Sequence, residues 1–216
     1  LDYTATGPTV TNVTSTLADG SYKADQVVPI TITFSASVTV TGTPTLTLET
    51  GSSDAVVNYS SGSGTTTLTF NYTVAAGHTS SDLSYLSTTA LALNGGTINA
   101  TTGGAAAILT LPALGASGSL NYNKQIVIDT TAPTCTVTGP TSPTKTSPIN
   151  FTINFSESVT GLSATEITVT NGTKGTLSGS GSGPYTMPVT PTAQGAVTCQ
   201  VIAGAAVDAA GNGNTV

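Results

Sequence analysis

The chain says the same thing twice. Pro29-Ile30-Thr31-Ile32-Thr33-Phe34-Ser35-Ala36-Ser37-Val38-Thr39 returns as Pro148-Ile149-Asn150-Phe151-Thr152-Ile153-Asn154-Phe155-Ser156-Glu157-Ser158-Val159-Thr160. The opening Asp2-Tyr3-Thr4-Ala5-Thr6-Gly7-Pro8-Thr9-Val10 returns as Asp129-Thr130-Thr131-Ala132-Pro133-Thr134-Cys135. Self-similarity at domain-sized spacing predicts tandem modules, and such modules supply length and binding surface rather than bond chemistry. A chain of 216 residues can close one large core or two small ones, and the repeat selects two, residues 1–129 and residues 130–216.

Inside each module apolar and polar residues alternate. Ile30, Ile32 and Phe34 are separated by Thr, and Thr45-Leu46-Thr47-Leu48 alternates. Leu68, Phe70, Tyr72 and Val74 are separated by Thr and Asn, and Ile126 and Ile128 precede Asp129. In the second module strand runs are predicted over 134–138, 149–155, 166–170, 185–189 and 196–202, broken at Gly139-Pro140, Asn171-Gly172 and residues 178–183. Period-two patterning buries one face of each strand against a second sheet and leaves Thr on the other, so the fold class is all-β with two tandem β-sandwiches. One segment, Ser80-Ser81-Asp82-Leu83-Ser84-Tyr85, reads as a single helical turn capped by Ser or Asp. Residues 95–118, rich in Gly and Ala, read as a long loop or slack hairpin, and Ala132-Pro133 as a short, stiff connection.

Composition removes several functions. Charged residues make up 6% of the chain and include four Lys and no Arg, so there is no basic footprint for nucleic acid. No run is apolar for long enough to span a bilayer, and no basic-then-apolar leader opens the sequence, so any export signal is expected outside it. His78 is the one histidine, in a loop-like context, and no nucleophile elbow, phosphate loop or His/Cys metal cluster accompanies it. The ten carboxylates are scattered and there is no Trp to make a sugar platform, so the chain is expected not to be an enzyme.

Cys135 and Cys199 have no metal-spaced partners, which leaves a disulfide or a pair of buried free thiols. Cys135 shares strand parity with Val137, and Cys199 with Val197 and Val201, so both are expected to point inward. A bridge closing that loop would contribute about 4 kcal/mol in the chain-entropy picture and would imply an oxidising compartment.

Three motifs of the second module carry a resemblance. Asp129-Thr130-Thr131-Ala132-Pro133, the strand end Phe155-Ser156-Glu157 and Asp208-Ala209-Ala210-Gly211-Asn212 resemble bacterial immunoglobulin-like repeats, the modules strung together in giant surface adhesins and biofilm-associated proteins. In the first module Leu17-Ala18-Asp19-Gly20-Ser21-Tyr22-Lys23-Ala24, Thr41-Gly42-Thr43-Pro44-Thr45-Leu46-Thr47-Leu48 and Leu91-Ala92-Leu93-Asn94-Gly95-Gly96-Thr97-Ile98 resemble a longer variant of the same kind. The resemblance implies an extracellular or cell-surface stalk whose partners are neighbouring Ig-like modules, with a host-surface, matrix or glycan ligand for its loops. It also implies calcium near the linkers. Two other functions stay open: an accessory carbohydrate-binding module of an extracellular enzyme, or a fibre subunit that polymerises by strand exchange.

Calcium takes about six to eight hard oxygen ligands, so carboxylates must converge from separate loops. With immunoglobulin topology, the entering linker, the loop after the second strand and the loop before the last strand meet at one pole. In the second module those places carry Asp129, Glu157 and Asp208; in the first they carry Asp2, Ala36 and Ala100. A metal-competent junction between the modules is therefore expected, and a degenerate one at the N-terminal pole of the first. Asp19, Asp25 and Asp82, backbone carbonyls and water are candidates for further ligands. The alternative is structural: Asp129 accepts turn hydrogen bonds, Asp208 and Asn212 close a turn with Gly211, and Glu157 pairs with a Lys.

Overall fold

The computed structural model describes residues 6–216 and divides into two compact units, residues 1–130 and 131–216. Both are β-sandwiches.

The first unit is organised around one long strand. β1 (Val10–Ser15) and β2 (Gly20–Tyr22) lead into β3 (Val27–Thr41), followed by β4 (Thr45–Glu49), β5 (Ala55–Ser61) and β6 (Thr65–Thr73). Short strands β7 (Thr79–Ser80), β8 (Ser84–Tyr85), β9 (Leu91–Ala92) and β10 (Thr97–Ala100) come next, then one helical turn α1 (Leu120–Asn123) and β11 (Ile126–Asp129). The larger sheet runs β1-β3-β6-β5-β4-β8, with β10 also on β3 and β9 on β4; the smaller is β2-β11-β7. Alternation explains the division of faces: Ile30, Ile32, Phe34, Leu68, Phe70 and Tyr72 are buried, while Thr31, Thr33, Thr67 and Thr69 take the other face. Each fully buried aliphatic or aromatic side chain contributes about 1.5–3 kcal/mol. The register of β3 shifts between Thr33 and Val38, so its first half pairs with β1 and β6 and its end with β10.

Residues 80–85 are not a helical turn. They form β7 and β8 with a bend between, because Leu83 and Tyr85 are both buried on one face and the Leu83 amide donates to Ile126 O at 2.7 Å. A helical turn would separate those two side chains.

In the second unit β12 (Cys135–Thr138), β13 (Ile149–Phe155), β16 (Tyr185–Pro191) and β15 (Gly172–Lys174) form a sheet in the order β12-β13-β16-β15. β14 (Ile167–Thr170) and β17 (Thr198–Val201) form the other. Ile153, Phe155, Ile167, Met187, Val189 and Val201 fill the space between them, with Phe155 and Tyr185 edge-to-face at 5.9 Å.

Both units are built on the same hydrogen-bond corner. Ser35 N–H donates to Thr9 O at 2.8 Å and Thr9 N–H to Ser35 Oγ at 3.0 Å; Ser156 and Thr134 repeat the pair at 3.0 and 2.9 Å. Ile108 N–H donates to Pro8 O and Thr215 N–H to Pro133 O, both at 2.8 Å.

The disulfide expected between Cys135 and Cys199 is corrected: both cysteines are free thiols. Cys199 is buried, as its parity requires, whereas Cys135 sits on an edge strand and is only half-buried. Desolvation by burial raises both thiol pKa values, and for Cys199 the neighbouring Cys135 adds to the rise while Lys174 opposes it. Raised pKa values keep the thiolate, the form that attacks a disulfide, scarce.

Candidate metal centre

Glu157 stands in the loop after β13, whose Ser156 is tied to Thr134 of the entering chain. Val159 is buried and its amide donates to Gly181 O at 3.2 Å. Thr160 and Val207 exchange two backbone bonds, Thr160 N–H to Val207 O at 2.8 Å and the reverse at 3.0 Å, which seats the Glu157 loop beside Asp208. Asp129 ends β11, just before Pro133 and Thr134 join the same corner.

These connections bring one ligand oxygen from each of Asp129, Glu157 and Asp208 to within 4.8 Å of one another. Oxygens on opposite sides of a calcium ion, each about 2.3–2.6 Å from it, stand about 4.6–5.2 Å apart, so the grouping has the right span. The donor set is also right in kind, since three carboxylates offer hard oxygen, at least one ligand atom from each. Asp129 and Glu157 are half-buried and Asp208 is buried, with 5% of its surface exposed.

Asp208 is held by its own turn. Its Oδ1 accepts from Ala210 N–H at 2.8 Å and Asn212 N–H at 2.9 Å, and its Oδ2 accepts from Asn212 Nδ2 at 2.8 Å. Gly211 closes the turn at φ 88°, which suits glycine. Turn and ligand roles are compatible, because a carboxylate with two oxygens has about four acceptor positions.

In the first unit the two described positions of the same corner, Ala36 and Ala100, carry no acid. Ala36 follows Ser35 as Glu157 follows Ser156. Ala100 occupies the place of Asp208, since the antiparallel bridge Asn99–Ala106 matches Val207–Gly213 and Ala100 N–H donates to Ala105 O as Asp208 N–H donates to Asn212 O. Asp2 lies outside the described residues.

The structure gives Asp19, Asp25 and Asp82 other settings within the first unit. Asp19 Oδ1 accepts from Gln125 N–H at 3.0 Å. Asp82 takes a hydrogen bond from the Ile126 amide, so the two acids grip the start of β11 from neighbouring loops. Burial pushes the Asp82 pKa up and the charge of Asp19 adds to the rise, against the Ile126 bond; Asp82 Oδ1 is buried without a hydrogen-bond partner. Asp25 sits in a left-handed turn at φ 69°. Among the described residues, the acidic grouping able to hold a metal consists of Asp129, Glu157 and Asp208.

One local arrangement is invisible in the sequence. Tyr72 and His78 stack at 5.9 Å and join Tyr72 Oη to His78 Nδ1 at 2.9 Å, and burial pushes the Tyr72 hydroxyl up to about 12. No sequence signal links positions six apart across a strand end.

Residues 129–216 match the bacterial Ig-like domain family, so all three carboxylates fall inside the matched segment. No curated protein matches the chain. Among the described residues no helix is long and apolar enough to cross a membrane.

Proposed function

We propose that this chain is a non-enzymatic, two-domain portion of a secreted or surface-anchored bacterial adhesin, serving as stalk. Its partners are adjoining modules of the same polypeptide, and calcium at Asp129, Glu157 and Asp208 restrains the segment that enters the second domain. Domains of the matched family typically occur in surface and secreted proteins, which supports the setting. The observation that carries the calcium reading is the convergence of three acids from three separate segments onto a span that suits the ion. A cation bound there ties Asp129 to loops more than twenty residues away in sequence, so the connection stiffens with no change of fold.

The test is small-angle scattering of the whole chain in millimolar calcium and in chelator. Calcium is expected to narrow the distribution of particle dimensions. Identical profiles in the two buffers would remove the stiffening role.

A further inference from the structure

Of the three grouped acids, Asp129 is the one that belongs to the first unit. β11 buries Ile126 and Ile128, and Asp129 stands opposite Thr79 where β11 pairs with β7. Thr79 N–H donates in turn to Thr50 O at 3.0 Å. The carboxylate therefore rises from the end of a strand with a buried root, not from a slack linker.

The residue after it is fastened twice. Thr130 Oγ1 accepts from Gly77 N–H at 3.0 Å and donates to His78 O at 3.0 Å. A hydroxyl has one proton to give and lone pairs with which to accept, so the two bonds together fix its rotamer, and the branched Cβ stiffens χ1 further. The loop on the far side of those bonds is itself anchored. Val74 is fully buried and its amide donates to Gln26 O at 2.9 Å, while His78 N–H donates to Ala75 O at 3.1 Å and closes a turn. Gly77 presents its amide to the hydroxyl at φ 86°, a left-handed conformation that glycine adopts without strain. The His78 ring is stacked on buried Tyr72 and bonded to its hydroxyl.

We propose, resting on the calcium site proposed above, that Thr130 is a positioning residue for that site: its hydroxyl, gripped by the loop of residues 75–78, sets the direction in which Asp129 offers its carboxylate to the ion. A side chain points where the backbone on both its flanks directs it. For Asp129 the leading flank is the strand pairing of Ile128 with Ser80, and the trailing flank is the double bond of Thr130 to the loop. Fixing both flanks orders the segment when the first domain folds and not when the ion arrives, which is how supporting contacts around a ligand raise affinity. The Tyr72–His78 pair gains a task by the same route, since it steadies the loop that grips Thr130. Thr130 itself touches no ion in this scheme.

The experiment compares the whole chain with Thr130→Val, which keeps the shape and loses the hydroxyl, and Thr130→Ser, which keeps the hydroxyl. Calcium chloride is titrated into each by calorimetry, and exchange of the Gly77 amide hydrogen is followed in chelator. Thr130→Val is expected to speed Gly77 exchange by about tenfold or more, and Thr130→Ser to leave it near the parent. The calcium Kd is expected to rise by about fivefold or more in Thr130→Val, because the freed segment must be ordered on binding, and to stay within about twofold of the parent in Thr130→Ser. Melting of the second domain in chelator should be the same in all three, which separates lost positioning from damage around Glu157 and Asp208. An unchanged Kd in Thr130→Val, with Gly77 exchange accelerated, would overturn the positioning role and leave the calcium site standing. Equal weakening in the valine and serine variants would overturn it too, since the hydroxyl would not be the cause. No calcium binding by the parent would remove the site and the positioning role together.

Discussion

Asp208→Asn separates the two jobs assigned to that side chain. The amide oxygen can still accept from Ala210 and Asn212 N–H, the bonds now at 2.8 and 2.9 Å, so the turn survives. The atom facing Asn212 Nδ2, now at 2.8 Å from a carboxylate oxygen, becomes a second donor unless the Asn212 amide turns over, a cost of about 1 kcal/mol. What is lost is one charge of a three-carboxylate grouping. Sites of this kind in extracellular modules bind calcium with Kd of about 10⁻⁴–10⁻³ M. At about 10 mM calcium, linkage then stabilises the parent by about 1.4–2.7 kcal/mol, on the order of 10 °C in Tm for a domain this size. Scanning calorimetry of parent and variant, each in calcium and in chelator, reads the difference directly. The parent is expected to gain on the order of 10 °C from calcium; Asp208→Asn should start slightly lower and gain almost nothing. Equal calcium gains in the two proteins would refute the ligand role of Asp208, and no gain in the parent would refute the site.

Three further perturbations have definite signs. Ile153→Ala removes a fully buried side chain of the second domain and should lower its stability by about 2–5 kcal/mol, leaving the transition of the first domain in place by calorimetry. Gly62→Ala forces a left-handed residue at φ 108° to place Cβ 2.0 Å from Thr67 O, so the first domain should melt lower, whereas Gly64→Ala, where a Cβ meets nothing within 4 Å, should cost only the backbone strain. Asp82 has a pKa raised above 3.8 by burial, so the folded state holds its proton more tightly than the unfolded one. The parent should therefore lose stability relative to Asp82→Asn as pH rises from 3.8 through the raised value, with no further change above it, as read from melting midpoints across an acid pH series.

Alternation made most strands legible: Ile30 to Phe34 and Ile149 to Phe155 announce their buried faces residue by residue. The meeting of Asp129, Glu157 and Asp208 was legible for a different reason, because strand direction in a sandwich dictates which loops share a pole. Short elements were not. β7 and β8 hold two residues each, too few for a period to show, and the buried pair Leu83 and Tyr85 acquires meaning only once Ile126 is beside them. The same holds for Asp19 and Asp82, whose partners Gln125 and Ile126 lie far along the chain. Parity placed Cys199 inside correctly but could not tell that β12 is an edge, where Cys135 opens on a cleft.

The parallel pairing of β2 with β11 has a mechanical consequence. When a polypeptide is pulled from its two ends, adjacent strands that run the same way, one near each end, slide past each other, and every rung between them must yield at once. Antiparallel neighbours loaded at one end peel apart rung by rung instead. Tension entering through Asp129 loads the β2–β11 pairing in the first way, so once β1 has peeled from β3 the small sheet is expected to resist in shear.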